Sequence, residues 1–158
     1  MSEFNSKSIR LVGNISLNGP IEDVFPLFSP QGEKLWVPDW NPLLLHPPET
    51  DWTEGLIFLT EEEMGEAVWV VTRLDHLAHR VEYCRVEPGR YVARIGVSCT
   101  AISDRLTEAA TTYEFIGLSE AGNAEIAAMT RESYSQKMMR WSKWINEYLR
   151  KITQQVGS

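Results

Sequence analysis

Residues 134–152 read YSQKMMRWSKWINEYLRKI. Within them Tyr134, Met138, Trp141, Ile145, Tyr148 and Ile152 recur at intervals of 4, 3, 4, 3 and 4. That period draws one apolar stripe along a helix, and it assigns Lys137, Arg140, Lys143, Glu147 and Arg150 to the opposite, polar face. Residues 121–153 contain no proline, and their only glycine, Gly122, stands at the start. The pattern therefore predicts one continuous helix over this range, capped by Ser119 or Asn123. About 30 residues at the helical rise would make it about 45 Å long. A stripe of that length needs an extended apolar surface to cover it, and the rest of the chain supplies strands.

Upstream, the apolar pattern has the other period. Ser8 to Leu17 alternates, with Ile15 and Leu17 set against Asn14 and Ser16. Six further segments read as strands: Leu43 to His46, Leu56 to Glu61, Ala67 to Leu74, Arg80 to Val86, Tyr91 to Ile102, and Leu106 to Leu118. Short turns such as Pro88-Gly89 and Ser103-Asp104 join the later ones, which predicts antiparallel hairpins. Between the first strand and the second lie two short helices. Asn18-Gly19-Pro20 ends the strand, and Glu22 and Asp23 suit the first turn of a helix carrying Ile21, Val24, Phe25 and Phe28. Pro26 keeps that helix short. A second turn is expected over Gln31 to Trp36, closed by Pro38 and Pro42. The fold class is α+β: about seven antiparallel strands against a long C-terminal helix.

Length and composition set the frame. The chain has 158 residues, with 22 acidic against 15 basic, a net charge of −7. That length predicts one domain over residues 1–158, its core at about 8–153. The acidic balance argues against nucleic-acid binding, which needs clustered Lys and Arg. No apolar run reaches the roughly 18 residues of a membrane span. The polar N-terminus, Met1 to Ser8, shows no secretory signal, and two cysteines make no disulfide framework, so a cytoplasmic protein is expected. A homodimer is left open.

The order of elements resembles the helix-grip fold of the START-like (SRPBCC) superfamily, with its pollen-allergen-like, lipid-transport and bacterial polyketide cyclase/dehydrase-like members. The resemblance rests on Gly13-Asn14-Ile15 leading to Pro20-Ile21-Glu22-Asp23-Val24-Phe25, on Glu33 to Pro42 with Trp36 and Trp40, on the Tyr83 to Gly89 hairpin, on Thr111-Thr112-Tyr113, and on Trp141 to Leu149. It implies a curved sheet gripping the long helix, with a cavity between them for a small hydrophobic or amphipathic molecule. It implies a binding protein first. The alternatives are a cyclase- or dehydratase-like enzyme using the same cavity, or a protein-interaction module with a filled core. No cofactor is implied.

The residues expected to line that cavity are Trp36, Trp40, Phe58, Trp69, Tyr83, Arg94, Tyr113, Tyr134, Met138 and Trp141. Aromatic walls would supply most of the affinity. Arg94, if its strand register turns it inward, would fix an anionic head group. If the protein is an enzyme, Glu33, Asp39 and Tyr113 are the candidate proton-transfer groups, because tryptophans beside a carboxyl raise its pKa by desolvation. His76 and His79 share a turn with Asp75, but no third ligand accompanies them, so no metal site is expected. No nucleophile elbow, P-loop or dinucleotide fingerprint is present.

Overall fold

The computed structural model describes residues 3–48, 52–62 and 65–156. Its seven strands are β1 (Ser8–Leu17), β2 (Leu43–His46), β3 (Ile57–Glu62), β4 (Gly65–Asp75), β5 (Arg80–Glu87), β6 (Tyr91–Ser103) and β7 (Leu106–Gly117). They form one antiparallel sheet in the order β1-β7-β6-β5-β4-β3-β2. From β2 to β7 each strand pairs with its successor, as short hairpin connections require. Only β1 breaks the sequence order, pairing with β7 so that Leu11 stands opposite Tyr113. The chain must then cross from one edge of the sheet to the other between β1 and β2. The short helices α1 (Ile21–Val24) and α2 (Pro30–Glu33) make that crossing. Pro26 sits in a 3₁₀ turn over Phe25–Phe28 between them, which ends α1 after one turn.

One face of the sheet is buried, and alternation selects its residues. On β6 these are Tyr91, Ala93, Ile95, Val97 and Cys99; on β7 they include Ala109, Thr111, Tyr113 and Phe115. Val81 and Tyr83 on β5 and Ala67, Trp69 and Val71 on β4 continue the face. Register shifts interrupt the ladders at Val71/Arg73 and Ala101/Ser103, the kind of irregularity that lets a sheet curve. Cys84 falls on the opposite face from Cys99 by the same alternation, and both are free thiols.

The C-terminal region departs from the expected single helix. It forms α3 (Glu120–Ala127) and α4 (Arg131–Val156), broken between them. Thr130 explains the break. Its hydroxyl accepts from the Ser133 backbone N–H at 3.0 Å, while Ser133 Oγ accepts from the Thr130 N–H at 3.2 Å. This reciprocal cap starts a new helix where periodicity alone reads continuity. Ser119 caps α3, its hydroxyl accepting from the Gly122 N–H at 3.0 Å. Asn123 does not cap; its side chain holds the N-terminal segment through Lys7 and Asn5.

Of the strands, α4 lies closest to β1. A Cβ on Gly13 would stand 3.0 Å from Met138 and 3.1 Å from Tyr134, so any larger residue would make these side chains shift to keep the helix this near. Farther across the sheet, over β3 to β6, the curved face and the helix separate. Among the described residues no helix is long and apolar enough to cross a membrane, and no group of three His, Cys, Asp or Glu is placed to hold a metal. His76 and His79 pack edge-on against Phe25.

Candidate ligand cavity

The separation leaves a cavity of about 850 Å³ between the inner face of the sheet, α2 with its following loop, and α4. This is within the range of pockets that hold small molecules. Its walls are aromatic. Phe58 and Trp69 stack with centroids 5.3 Å apart, and Tyr83 meets both edge-on at 6.2 and 5.9 Å. Tyr113 on β7 and Trp141 on α4 face each other at 6.2 Å. Trp40 closes against Trp69 at 5.6 Å. Large side chains fix this shape because their polar tips are tied down. Trp69 Nε1–H donates to Thr60 Oγ1 at 2.9 Å, Trp40 Nε1–H to the Pro30 carbonyl at 2.8 Å, and the Tyr83 hydroxyl to the Phe28 carbonyl at 2.6 Å.

Three ionisable side chains reach this apolar space from three elements. Glu33 ends α2, a helix set by Pro30 at its first turn and by Ser29, whose hydroxyl accepts from the Gly32 N–H at 2.9 Å. Arg85 comes from β5, on the same alternation as Tyr83 and Glu87. Its guanidinium lies 5.2 Å over the Trp69 ring, with Nε 3.3 Å from Glu87. Lys137 comes from α4, its Nζ 4.1 Å from the Tyr113 ring centroid and 5.3 Å from that of Trp141. Among the described residues the Glu33 carboxyl, the Lys137 ammonium and the Tyr113 hydroxyl make no hydrogen bond to the protein, and neither charged group has a direct ion pair.

Partial burial among apolar walls moves their proton affinities. Burial pushes the Glu33 carboxyl up to about 8, against the opposing pull of Lys137 and Arg85. Burial pushes Lys137 down to about 8, with Arg85 acting in the same sense and Glu33 in the opposite one. Burial also lifts the phenols of Tyr83 and Tyr113, which stay protonated donors through the neutral range. The site thus holds a carboxyl and an amine that both exchange protons near neutrality.

Of the residues expected from sequence, Trp40, Phe58, Trp69, Tyr83, Tyr113, Trp141, Glu33 and Asp39 line the cavity. Four expected lining residues do not. Trp36 is core behind the wall, donating Nε1–H to the Leu27 carbonyl at 2.7 Å and packing edge-on against Trp141. Tyr134 and Met138 face β1 and β7 instead, both within bonding distance of the Thr111 hydroxyl, at 2.5 and 3.1 Å. Arg94 falls on the outward alternation of β6, 71% exposed, 3.2 Å from Glu114. Alanine at Arg94 is expected to change stability by less than about 1 kcal/mol, as an exposed ion pair does, in a urea unfolding measurement. Asp39 is exposed at the cavity mouth, with a left-handed φ of 60°, whereas Glu33 is half-buried. The paired carboxyls expected from sequence therefore occupy different environments. The sequence also carries three consecutive glutamates, of which Glu61 and Glu62 stand at the mouth and Glu63 lies outside the described residues.

Sequence reasoning missed Arg85 and Lys137. For Arg85 the signal was present, since it shares parity with Val81, Tyr83 and Glu87. Lys137 precedes Trp141 by four residues and so shares its helix side, but a charged residue is assigned to solvent by default.

No family model matches the chain, and no curated protein matches it in sequence. Solved structures do match it in shape. A point mutant of norcoclaurine synthase from Thalictrum flavum, solved with a transition-state analogue, is 10% identical with a TM-score of 0.70, covering 96% of this chain and 99% of its own. Ara h 8.0201 is 12% identical with a TM-score of 0.66, covering 92% and 99%. An uncharacterised protein from Rhizobium leguminosarum is 16% identical with a TM-score of 0.66, covering 93% and 97%. At these identities the likeness is one of fold, and it agrees with the strand order, the crossing helices and the gripped α4: the chain has the helix-grip fold.

Proposed function

We propose that the protein binds a small amphipathic molecule in this cavity, an apolar body against Phe58, Trp69, Tyr113 and Trp141 and a polar head toward Arg85, Lys137 and Glu33. One observation carries the reading. The Glu33 carboxyl, the Lys137 ammonium and the Tyr113 hydroxyl face an aromatic space without protein partners, beside an Arg85 held by Glu87. A wholly apolar occupant would leave them desolvated and unpaired, at a cost of about 1–3 kcal/mol for each neutral group and more for a charge. A ligand with a polar head satisfies them. The two free thiols agree with a reducing compartment, for which we propose the cytoplasm.

Isothermal titration calorimetry with anilinonaphthalene sulfonate, an amphipathic anion, tests this. The expected result is one site per chain, weakened about 10-fold or more by Arg85→Met, the scale of a lost charge-assisted hydrogen bond. Arg94→Ala should leave it unchanged. Equal effects of the two substitutions, or no saturable site, would count against the reading. A second reading, an acid–base enzyme of the cyclase or dehydratase type, is favoured by the half-buried Glu33 beside Lys137. The open cavity speaks against a module with a filled core.

A further inference from the structure

We propose that Lys137 captures small aromatic carbonyl compounds as an imine, with Glu33 as the acid of the condensation. The inference rests on the cavity being a ligand site and names the chemistry that ligand would bring. The chain has five lysines, and Lys7, Lys34, Lys143 and Lys151 are exposed. Lys137 alone among them reaches the cavity, where it meets ring faces rather than a carboxylate. An amine becomes a nucleophile when an apolar pocket and a neighbouring cation disfavour its ammonium form. Tyr113 and Trp141 supply the apolar shield, and Arg85 is the cation. The downward shift of Lys137 agrees with that geometry.

A binding amine alone would not need an acid beside it, but a condensation does. The Nζ lone pair attacks the carbonyl carbon and forms the C–N bond. The oxygen takes a proton and the nitrogen gives one up, leaving a carbinolamine. Glu33 then donates its proton to the carbinolamine hydroxyl, the C–O bond breaks, and water leaves. One neutral amine, one carbonyl compound and one Glu33 proton give one iminium, one water and one carboxylate. The product pairs the iminium with the Glu33 carboxylate, between the ring faces that held the ammonium. Flat aromatic walls select a flat aromatic carbonyl.

The test uses the intact protein with 2-naphthaldehyde and sodium cyanoborohydride, which reduces an imine in place, followed by peptide mapping. Binding of 2-naphthylmethanol, which cannot form an imine, is followed in parallel by tryptophan fluorescence. The expected result is one adduct, on Lys137, at least 10-fold above that on any exposed lysine. Glu33→Gln should slow trapping at Lys137 by 10-fold or more while leaving alcohol binding in place. Lys137→Arg should abolish the adduct. Even labelling of the lysines would overturn the proposal, and unchanged trapping in Glu33→Gln would remove Glu33 from it. If the alcohol binds and Lys137 stays unmodified, the imine fails and the ligand site stands. If neither compound engages the cavity, both fail.

Discussion

Gly32→Ala will destabilise the protein by about 3 kcal/mol or more, although alanine in place of a helical glycine ordinarily adds about 1 kcal/mol. The sign reverses because of where α2 sits. A Cβ at residue 32 would stand 2.0 Å from the Pro26 carbonyl oxygen and 2.8 Å from Leu27 Cα. Both are backbone atoms, so no side-chain rotation relieves the clash, and α2 must lift away from the 3₁₀ turn. The same movement carries Glu33 out of the cavity and strains the Trp40 bond to Pro30. A urea unfolding midpoint measured for both proteins gives the answer. A gain in stability, as for an open helical site, would show that α2 is not held against Pro26 as described.

The pH dependence of stability should change sharply with Glu33→Gln. A carboxyl raised from 4.5 to about 8 by folding holds its proton more tightly in the native state than in the unfolded one. The stability it confers is therefore full below about pH 4.5 and is lost as pH rises toward 8. Across that window the difference between wild type and Glu33→Gln should fall with a slope of up to about 1.4 kcal/mol per pH unit. Below and above the window it should be flat. Above pH 8 the glutamine protein should be the more stable, by several kcal/mol on the order-of-magnitude scale of such shifts. Denaturant titrations at half-unit steps from pH 4 to 9 measure this. A flat difference curve would mean that water reaches Glu33 freely.

Much of this architecture was legible in the sequence. The limits of β1 follow from period-2 alternation and the flanking Asn18-Gly19-Pro20, those of β2 from a short apolar segment ended by Pro47-Pro48, and the other strand ends fall within a residue or two. The α4 stripe followed from its spacing. The break at 128–130 did not, because a capping pair of Thr130 and Ser133 has no hydrophobic signature. The site was half legible. Aromatic residues on strands and on α2's loop mark a pocket whatever the register, and Glu33 was singled out for its tryptophan neighbours. The cationic half was misassigned. Whether Arg94 faces inward hung on register, which one residue of error reverses, and the inward arginine is Arg85 on the neighbouring strand. Tyr134 and Met138 share the stripe with Trp141, yet the helix turns them toward β1 and β7 while Trp141 and Lys137 flank the cavity. A stripe gives a helix one buried side; which part of that side meets a cavity depends on where the sheet curves away.

The most direct test of the ligand site is a nitrogen–proton NMR titration with anilinonaphthalene sulfonate, read on the indole N–H signals of the six tryptophans. Trp40, Trp69 and Trp141 line the cavity, while Trp36 and Trp144 do not. The first three signals should move together and saturate at one equivalent per chain, while those of Trp36 and Trp144 stay nearly fixed. Movement led by Trp144, or no movement of Trp69 and Trp141 at saturating probe, would contradict it.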